Sequence, residues 1–424
     1  MTVFLTPDGV PFYGGTYFPP EDRHGLPSFP RLLRALADVY RNRRGEVVES
    51  GRQLVDRIRQ GERLRESPQL LTDELLVSAF SVVSGEFDER EGGVGNAPKI
   101  PQTMNWEFML RFWKRTGNER AMEMLRLTLT RMGRGGMYDQ IGGGFHRYSV
   151  DSHWLVPHFE KMLYDNAQLA RLYLHAWLAT GDAEYRRIAT EILDYVTQEM
   201  THEEGGFFST QDADSEGEEG KFFLWAPGEI RQVLGDSDEA SAALAYWGVN
   251  DGPNFEGKNI LFVARDLEEV AARLGLSRER LSDLLAGART KLYLARERRV
   301  HPGRDEKVLA AWNGMMCRAF AEAGRALGRS DYTESAVRNA EFVLRAMRRD
   351  GRLLRTWKDG EAKLLAYLED YAMVADGCLA VYEASFDRRW LDVAVGLAGE
   401  LIRLFWDEGQ EGFFDTGVDH EALV

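Results

Sequence analysis

The sequence has little of what marks secreted, membrane or nucleic-acid-binding proteins. Its only two cysteines, Cys317 and Cys378, lie inside apolar helical patterns, as free cysteines do in a reducing compartment. It has no apolar run of about 18 residues, which a membrane span needs, and its start lacks a secretory signal. An excess of 68 acidic over 53 basic residues gives a net charge of −15, which disfavours nucleic acid and anionic membranes as partners. We therefore expect a cytoplasmic protein that binds neither nucleic acid nor membrane.

The first 65 residues predict one β-hairpin and one helix. Residues 2–5 and 10–13 flank a Pro-Asp-Gly turn, which is a hairpin signal. Apolar residues then recur with helical spacing over 29–60. Because a hairpin and one helix do not enclose a core of their own, we interpret residues 1–65 as the end of a domain whose first half is absent.

From residue 66 onward the sequence predicts repeated αα-hairpins. Each repeat has an apolar helix, a short turn such as TGN or TGD, and a more charged helix, which indicates an inner and an outer helix. The hairpins are predicted at 105–132, 164–196, 312–344 and 368–402. A single helix is expected at 72–87. Residues 203–300 form a divergent insertion, in which NILFV at 259–263 predicts a strand.

Glycine- and aromatic-rich connections join one hairpin to the next. If alternate helices form an inner ring, these connections reach the same end of it, where the inner helices begin. This predicts a mainly α protein with an α/α toroid whose mouth is the ligand pocket. An open solenoid is the alternative.

Residues 135–168 hold the densest group of polar side chains. This stretch carries His146, His153 and His158, and its glycines allow a sharply turning loop. Pro157 favours a helix that begins there. The stretch is either a display of catalytic groups on a loop or a buried hydrogen-bonded network that holds the loop in place.

The candidate catalytic residues are a histidine and three carboxylates, because a histidine with acids around a pocket is the chemistry of general acid–base catalysis. These residues are His158, Glu160, Asp165 and Asp212. The candidate substrate-binding residues are polar or aromatic side chains on the connections and first helical turns: Arg147, Tyr148, Asp151, Trp154, Tyr164, Asn166, Asp214, Trp312, Asn313, Glu369, Asp370 and Tyr371.

No metal or cofactor is predicted. The three histidines are seven and five residues apart, which matches no common zinc spacing. Asp212 and Asp214 begin a calcium-like loop, but Phe223 stands where a bidentate glutamate is needed. The GGGF run at 142–145 lacks the strand that precedes a dinucleotide-binding turn.

Four segments in order resemble one family along almost the whole chain. They are VFLTPDGVPFYGGTYFPP, YDQIGGGFHRYSVDSHWLVPHFEKMLYDNAQL, STQDADSEGEEGKFFLW and AAWNGMM. They are similar to the thioredoxin-domain-containing spermatogenesis-associated protein family. The resemblance implies a thioredoxin-like N-terminal domain and a six-hairpin α/α toroid similar to those of N-acylglucosamine 2-epimerases and six-hairpin glycosidases.

Two departures from that family pattern bear on function. The chain has no Cys-x-x-Cys-His segment, so the resemblance carries no redox motif over to it, and it ends at Val424, before a final helical region of the family. We expect a fragment of the family protein, with a toroid incomplete at its C-terminus.

The resemblance implies a sugar epimerase or glycosidase acting on a small carbohydrate. A non-catalytic sugar-binding or thioredoxin-linked interaction module is the alternative. Whether the chain is an enzyme, and its oligomeric state, stay open.

Overall fold

Helices dominate the chain. The computed structural model describes residues 2–23, 25–62, 71–409 and 411–420, and these contain fifteen α-helices. The chain forms two units, residues 1–71 with 407–412 and 418–424, and residues 72–406 with 413–417. The predicted fold class, a mainly α chain with an α/α toroid, is confirmed.

The first unit contains a hairpin and two helices. These are β1 (Thr2–Leu5), β2 (Pro11–Gly15), α1 (Phe29–Asn42) and α2 (Arg44–Glu62). The predicted hairpin is present, but the predicted single helix over 29–60 is wrong. Arg43 leaves the helical conformation, with φ −130° and ψ 44°, and separates α1 from α2. The unit buries few apolar side chains, including Leu32, Val47 and Val55.

The second unit contains the remaining helices. In chain order they are α3 (Asp73–Gly85), α4 (Thr103–Thr116), α5 (Glu119–Arg134), α6 (Leu163–Thr180), α7 (Ala183–Glu199), α8 (Pro227–Leu234), α9 (Asp238–Tyr246), α10 (Leu267–Leu274), α11 (Arg278–Arg296), α12 (Ala310–Leu327), α13 (Ser330–Ala346), α14 (Leu368–Ser385) and α15 (Arg388–Phe405).

The predicted hairpins are α4–α5, α6–α7, α12–α13 and α14–α15. Gly117 and Gly181 close the first two turns with φ 71° and φ 72°, a left-handed conformation that glycine adopts without steric cost. Asn118 and Asp182 then cap the second helix of each pair by accepting backbone N–H bonds. The TGN and TGD turns of the sequence therefore fix where each hairpin reverses.

The first helices of the hairpins pack against one another in chain order. α4 contacts α6, α6 contacts α12, and α12 contacts α14, while each also packs on its own partner. Gly314 and Gly377 let α12 and α14 approach so closely that a Cβ atom at either position would clash with backbone of the other helix. These four inner helices form the wall from which the candidate site is built.

Short antiparallel strands tie the connections together. They are β3 (Tyr148–Ser149), β4 (Pro157–His158), β5 (Lys161–Met162), β6 (Thr210–Gln211), β7 (Asp214–Ser215), β8 (Glu218–Glu219), β9 (Arg304–Asp305), β10 (Val308–Leu309), β11 (Arg348–Arg349), β12 (Arg352–Lys358), β13 (Glu361–Leu365), β14 (Trp406–Asp407) and β15 (Gly412–Phe413). β3 pairs with β4, β7 pairs with β8, and β6 lies between β5 and β9. β5 leads directly into α6, and β10 into α12.

The insertion contains α8 to α11 but lacks the predicted strand over residues 259–263. Ile260 and Leu261 are buried, but the backbone bonds of this segment go to separate partners. Asn259 pairs with Trp225, and the N–H of Val263 donates to the carbonyl of Arg134. These buried apolar residues therefore pack in the core without forming the hydrogen-bond ladder of a β-sheet. Among the described helices, none combines the length and the apolar character that crossing a bilayer requires.

Candidate functional site

The segment before α6 is extended, so the prediction of a helix starting at Pro157 is wrong. Pro157–His158 pairs with Tyr148–Ser149, and Lys161–Met162 pairs with Thr210–Gln211. The backbone N–H and C=O groups of the segment are satisfied by these short ladders, and the helix begins at Leu163. His158 and Glu160 therefore stand on an extended approach to the inner helix, and not on its first turn.

A network of charged and aromatic side chains joins this approach to the starts of two inner helices. Glu160 Oε2 lies 2.9 Å from Arg147 Nη1 and 3.6 Å from His158 Nε2. His158 Nδ1 lies 2.8 Å from Glu219 Oε1 on β8. The Tyr148 ring stacks on His158 with 5.2 Å between ring centroids. We call the following residues the mouth cluster: Arg147, Tyr148, His158, Glu160, Tyr164, Asp165, Glu219 and Trp312.

Tyr164 and Asp165 carry the cluster onto the first turn of α6. Tyr164 meets Trp312 of α12 edge to face, with ring centroids 4.8 Å apart. Asp165 has a buried Oδ2 atom without a hydrogen-bond partner among the described residues. The mouth cluster thus spans the starts of α6 and α12.

The two carboxyl groups at the centre of the cluster have opposite electrostatic environments. Burial raises the pKa of Asp165 to about 7, and the negative Glu160 acts in the same direction. The neighbouring imidazole of His158, together with the Arg147 guanidinium, lowers the pKa of Glu160. The carboxylates of Glu160 and Glu219 in turn raise the pKa of His158. Near neutral pH a large share of Asp165 is therefore protonated, while Glu160 is ionised.

Asp165 also borders an open cavity of about 600 Å³. Its other walls come from the end of α3, from residues 94–101 and from the start of α4, including Thr103 and Asn105. Gln168, one turn after Asp165, lines it as well. The proton-bearing carboxyl group is thus next to a space large enough for a small sugar.

Several predicted site residues lie elsewhere and hold the backbone. Asp151 accepts bonds from the backbone N–H groups of His153, Leu155 and Val156. Trp154 is fully buried, has φ 63°, and donates its indole N–H to the carbonyl of Glu91. These contacts shape the loop before β4.

Predicted residues at the helix starts also bond to backbone. Asn166 and Asn313 are buried and clamp the backbone of Phe145 and Phe207, respectively. Buried Asp370 accepts bonds from the backbone N–H groups of Ala311 and Tyr367 and pairs with Arg355.

The four remaining predicted residues are Glu369, Tyr371, Asp212 and Asp214. Arg355 also pairs with Glu369 at 2.8 Å. Tyr371 is buried and accepts the backbone N–H of Leu353. Asp212 accepts its hydrogen bond from the neighbouring Ala213 N–H, and Asp214 is exposed on β7.

Glu219 was missed by the sequence reasoning. The STQDADSEGEEGK segment was expected to supply a carboxylate to the pocket through Asp212 or Asp214. The β7–β8 hairpin pairs Asp214 with Glu219, and it is Glu219 whose carboxylate reaches His158. Glu216-Gly217 carried the signal, because a two-residue turn with positive φ at both positions reverses the chain and brings Glu218 and Glu219 back along β7.

Part of the stretch at residues 135–168 is a buried hydrogen-bonded network, which was the alternative to a display of catalytic groups. Lys161 Nζ lies 2.9 Å from Asp139 Oδ2, and Arg296 Nη1 contacts the same carboxylate at 2.9 Å. His146 Nδ1 lies 2.8 Å from the carbonyl of Phe159, and burial lowers its pKa to about 3. A neutral histidine and a paired lysine hold the loop beneath the mouth cluster.

Elsewhere, Glu199, Glu297 and His301 form a group with the donor types of a metal site.

Known relatives cover nearly the whole chain. Human spermatogenesis-associated protein 20 is 35% identical over an alignment of 460 residues, which covers 98% of this chain and 58% of the relative. The chain thus spans little more than half the length of the curated relatives it matches. A family model described as "Thioredox_DsbH: Protein of unknown function, DUF255" matches residues 1–59.

Among solved structures, the neighbours are sugar epimerases and glycosidases. An unsaturated glucuronyl hydrolase from Bacillus sp. GL1 has a TM-score of 0.49 and 14% identity, covering 82% of this chain and 74% of that one. A sugar epimerase from a ruminal bacterium has a TM-score of 0.37 and 14% identity, covering 82% of this chain and 91% of that one. Likenesses this distant transfer neither a substrate nor a residue role. By sequence, the chain is a homologue of spermatogenesis-associated protein 20 along 98% of its length.

Proposed function

We propose that the mouth cluster binds a carbohydrate and hydrolyses a glycosidic bond by general acid–base chemistry. The observation that carries this proposal is the pair Asp165 and Glu160, whose pKa values are shifted in opposite directions. Two carboxyl groups with separated pKa values divide the roles of acid and base at neutral pH. Glycoside hydrolysis needs such a pair on either side of the scissile bond.

In this mechanism Asp165 is the general acid. Its proton passes to the glycosidic oxygen as the bond to the anomeric carbon breaks, so that the leaving group departs as a neutral alcohol. The ionised Glu160 activates a water molecule or attacks the anomeric carbon itself. Tyr148, Tyr164 and Trp312 supply aromatic rings against which the apolar face of a sugar packs.

His158 has a positioning role in this proposal and not the acid–base role expected from the sequence. Nδ1 contacts Glu219 and Nε2 contacts Glu160, and these carboxylates favour the imidazolium. A cationic ring between two carboxylates is a poor proton acceptor, which disfavours an epimerase mechanism with His158 as base. It instead keeps Glu160 ionised and oriented.

We also propose a domain organisation, a location and the classes of partner. We propose that residues 1–65 are the end of a thioredoxin-like domain, followed by the toroid at 66–424 with its insertion at about 203–300. We further propose that the protein acts in the cytoplasm, without nucleic acid or membrane as partner. A sugar-binding or interaction module that has kept the pocket is the alternative function.

A panel of neutral and acidic aryl glycosides tests the proposed function. The wild type should release the aryl alcohol from at least one of them, and Asp165→Asn and Glu160→Gln should each lower kcat/KM by about 100-fold or more. Asp214→Asn, which changes an exposed aspartate of the β7–β8 hairpin, should retain wild-type activity. Sugar binding without turnover by the wild type would favour the binding module. Equal turnover in all four proteins would refute the assignment.

A further inference from the structure

We infer that Glu199, Glu297 and His301 form a binding site for a divalent transition metal ion, with zinc as the ion that their donor atoms fit best. Their carboxylate oxygens and an imidazole nitrogen all lie within 4.8 Å of one another. This group lies outside the mouth cluster and has no part in the proposed hydrolysis.

One pair of donor atoms has the separation found in a tetrahedral zinc site. His301 Nε2 lies 3.4 Å from Glu297 Oε2. Two ligands about 2.0–2.1 Å from a tetrahedral zinc ion are themselves about 3.4 Å apart. Two carboxylates and one imidazole give three protein ligands, which leaves the fourth position to water. The mixed oxygen and nitrogen donors favour a transition metal over magnesium or calcium, which take oxygen ligands.

The protein itself leaves this negative charge largely unpaired. Glu297 Oε1 is buried and has no hydrogen-bond partner among the described residues. In that part of the chain, neither Glu199 nor Glu297 forms an ion pair with lysine or arginine. Of the two arginines that flank Glu297 in the sequence, Arg296 is bound to Asp139 and Arg298 is exposed. Tyr293 donates its hydroxyl to Glu199 at 3.0 Å, which satisfies one carboxylate oxygen without adding positive charge.

The helix ends around the group add to the negative potential. Glu199 is the last residue of α7, and Glu297 directly follows the last residue of α11. Helix C-termini carry partial negative charge and favour cations. Carboxylates at two such ends repel each other. A divalent cation removes this repulsion.

Metal binding would join three parts of the second unit. His301 lies between α11 and β9, and β9 pairs with β6, which pairs with β5 before α6. An ion held by Glu199, Glu297 and His301 therefore fixes the ends of α7 and α11 to the segment that leads into this small sheet. We expect the ion to stabilise the fold.

Calorimetric titration of the untagged, chelator-treated full chain with zinc chloride tests this inference. The wild type should bind one equivalent with a dissociation constant in the micromolar range or below, and its Tm should rise. His301→Ala and the nearly isosteric Glu297→Gln should weaken binding by about tenfold or more. His153→Ala is the matched control and should bind zinc like the wild type. His153 Nδ1 lies 3.5 Å from Glu91, and among the described residues this pair belongs to no group of three metal-donor side chains.

Cobalt(II) provides a second readout that does not depend on the variants. Bound to the wild type, it should give the visible absorption of a four-coordinate nitrogen and oxygen site, and zinc should displace it. The inference is overturned if the wild type binds no stoichiometric zinc. It is equally overturned if His301→Ala and Glu297→Gln, shown to be folded by circular dichroism, bind zinc like the wild type.

Discussion

At the scale of single residues, the same hydrogen-bonding clamp between an asparagine side chain and the backbone occurs twice. Asn166 Oδ1 accepts the N–H of Phe145 at 2.7 Å, and its Nδ2 donates to the carbonyls of Phe145 and Met162. Asn313 makes the same three bonds to Phe207 and Leu309. Each asparagine fastens a Gly-Gly-Phe segment to the start of an inner helix. The sequence alone suggested substrate binding for both residues, because a buried amide and a ligand-binding amide look identical in it.

Asn166→Asp should destabilise the protein by about 2 to 3 kcal/mol at neutral pH, because a carboxylate cannot donate to the two carbonyls and is buried. Urea unfolding followed by circular dichroism measures the change. Asn250→Asp, at an exposed position, should change the free energy of unfolding by less than about 0.5 kcal/mol. Equal stability of Asn166→Asp and the wild type would show that the clamp contributes little.

Asp165 should make the protein less stable as the pH rises from about 4 to about 7. Its pKa is raised from 3.8 to about 7 by burial, so the folded state keeps a proton that the unfolded chain loses. The stabilisation is complete below pH 3.8 and is lost as the pH passes through 7. At pH 8, Asp165→Asn should therefore be more stable than the wild type by about 1 to 3 kcal/mol.

Thermal unfolding of wild type and Asp165→Asn between pH 4 and pH 8 measures this difference, with Asp214→Asn as the exposed control. The gap between wild type and Asp165→Asn should widen with pH. A constant gap would mean that the Asp165 carboxyl titrates in the folded state as it does in the unfolded chain.

At the scale of secondary-structure elements, the sequence predicted the helical hairpins but not the extended segments that lead into their first helices. Glycine and a capping residue mark the turns after α4 and α6 locally, so their ends follow from the chain itself. The start of α6 depends instead on β5 pairing with β6, about 50 residues further along the sequence. Pro157 is compatible with a first helical turn or with an extended strand, and its pairing with Ser149 in β3 makes it extended.

A second charged network links three inner helices away from the mouth. His175 of α6 contacts Glu107 of α4 at 2.9 Å and Glu322 of α12 at 3.1 Å. Burial opposes protonation of His175, but the hydrogen bonds to both glutamates outweigh it and raise its pKa to about 9. The imidazolium therefore joins α4, α6 and α12 at neutral pH.

His175→Gln should destabilise the protein by about 2 to 3 kcal/mol at pH 6, since two partly buried glutamates lose their shared cation. The stabilisation by His175 is complete below pH 6.5 and is lost as the pH rises through about 9. The difference between wild type and His175→Gln in chemical unfolding should accordingly shrink from pH 6 to pH 10. His202→Gln, at a histidine without a carboxylate partner among the described ion pairs, should show no such trend.

At the scale of the whole molecule, the ring of hairpins followed from repetition, while the convergence of its side chains did not. Repeated apolar patterns place inner and outer helices. They do not say which of the polar residues at the helix starts face a ligand. Seven predicted residues come together, whereas Asn166 and Asp370 turn towards the backbone. The seven are Arg147, Tyr148, His158, Glu160, Tyr164, Asp165 and Trp312.

Helices α3 and α15 of the second unit each expose more than one large apolar side chain. α3 buries none of its residues, and Leu75, Val77 and Val82 are exposed on it. Val395 and Ile402 are exposed on α15. Apolar surface of this kind favours association.

We expect concentration-dependent self-association in light scattering coupled to size exclusion. The double variant Val77→Lys with Val82→Lys should reduce it at little cost in stability, because exposed positions tolerate charge. Leu178→Lys, at a separate exposed leucine on α6, serves as the control and should not reduce it. A monomeric wild type at all concentrations would contradict this expectation.

The most direct test of the central claim compares leaving groups in the hydrolysis of a glycoside that the wild type cleaves. A dinitrophenolate leaves without a proton, whereas an alkoxide from an unactivated glycoside needs one from the general acid. If Asp165 is that acid, Asp165→Asn should retain most of the wild-type kcat on the dinitrophenyl glycoside and lose about 100-fold or more on the alkyl glycoside. The alkaline limb of the wild-type profile, at a pH of about 7, should vanish in the variant. Equal losses on both substrates, or an unchanged limb, would contradict the account.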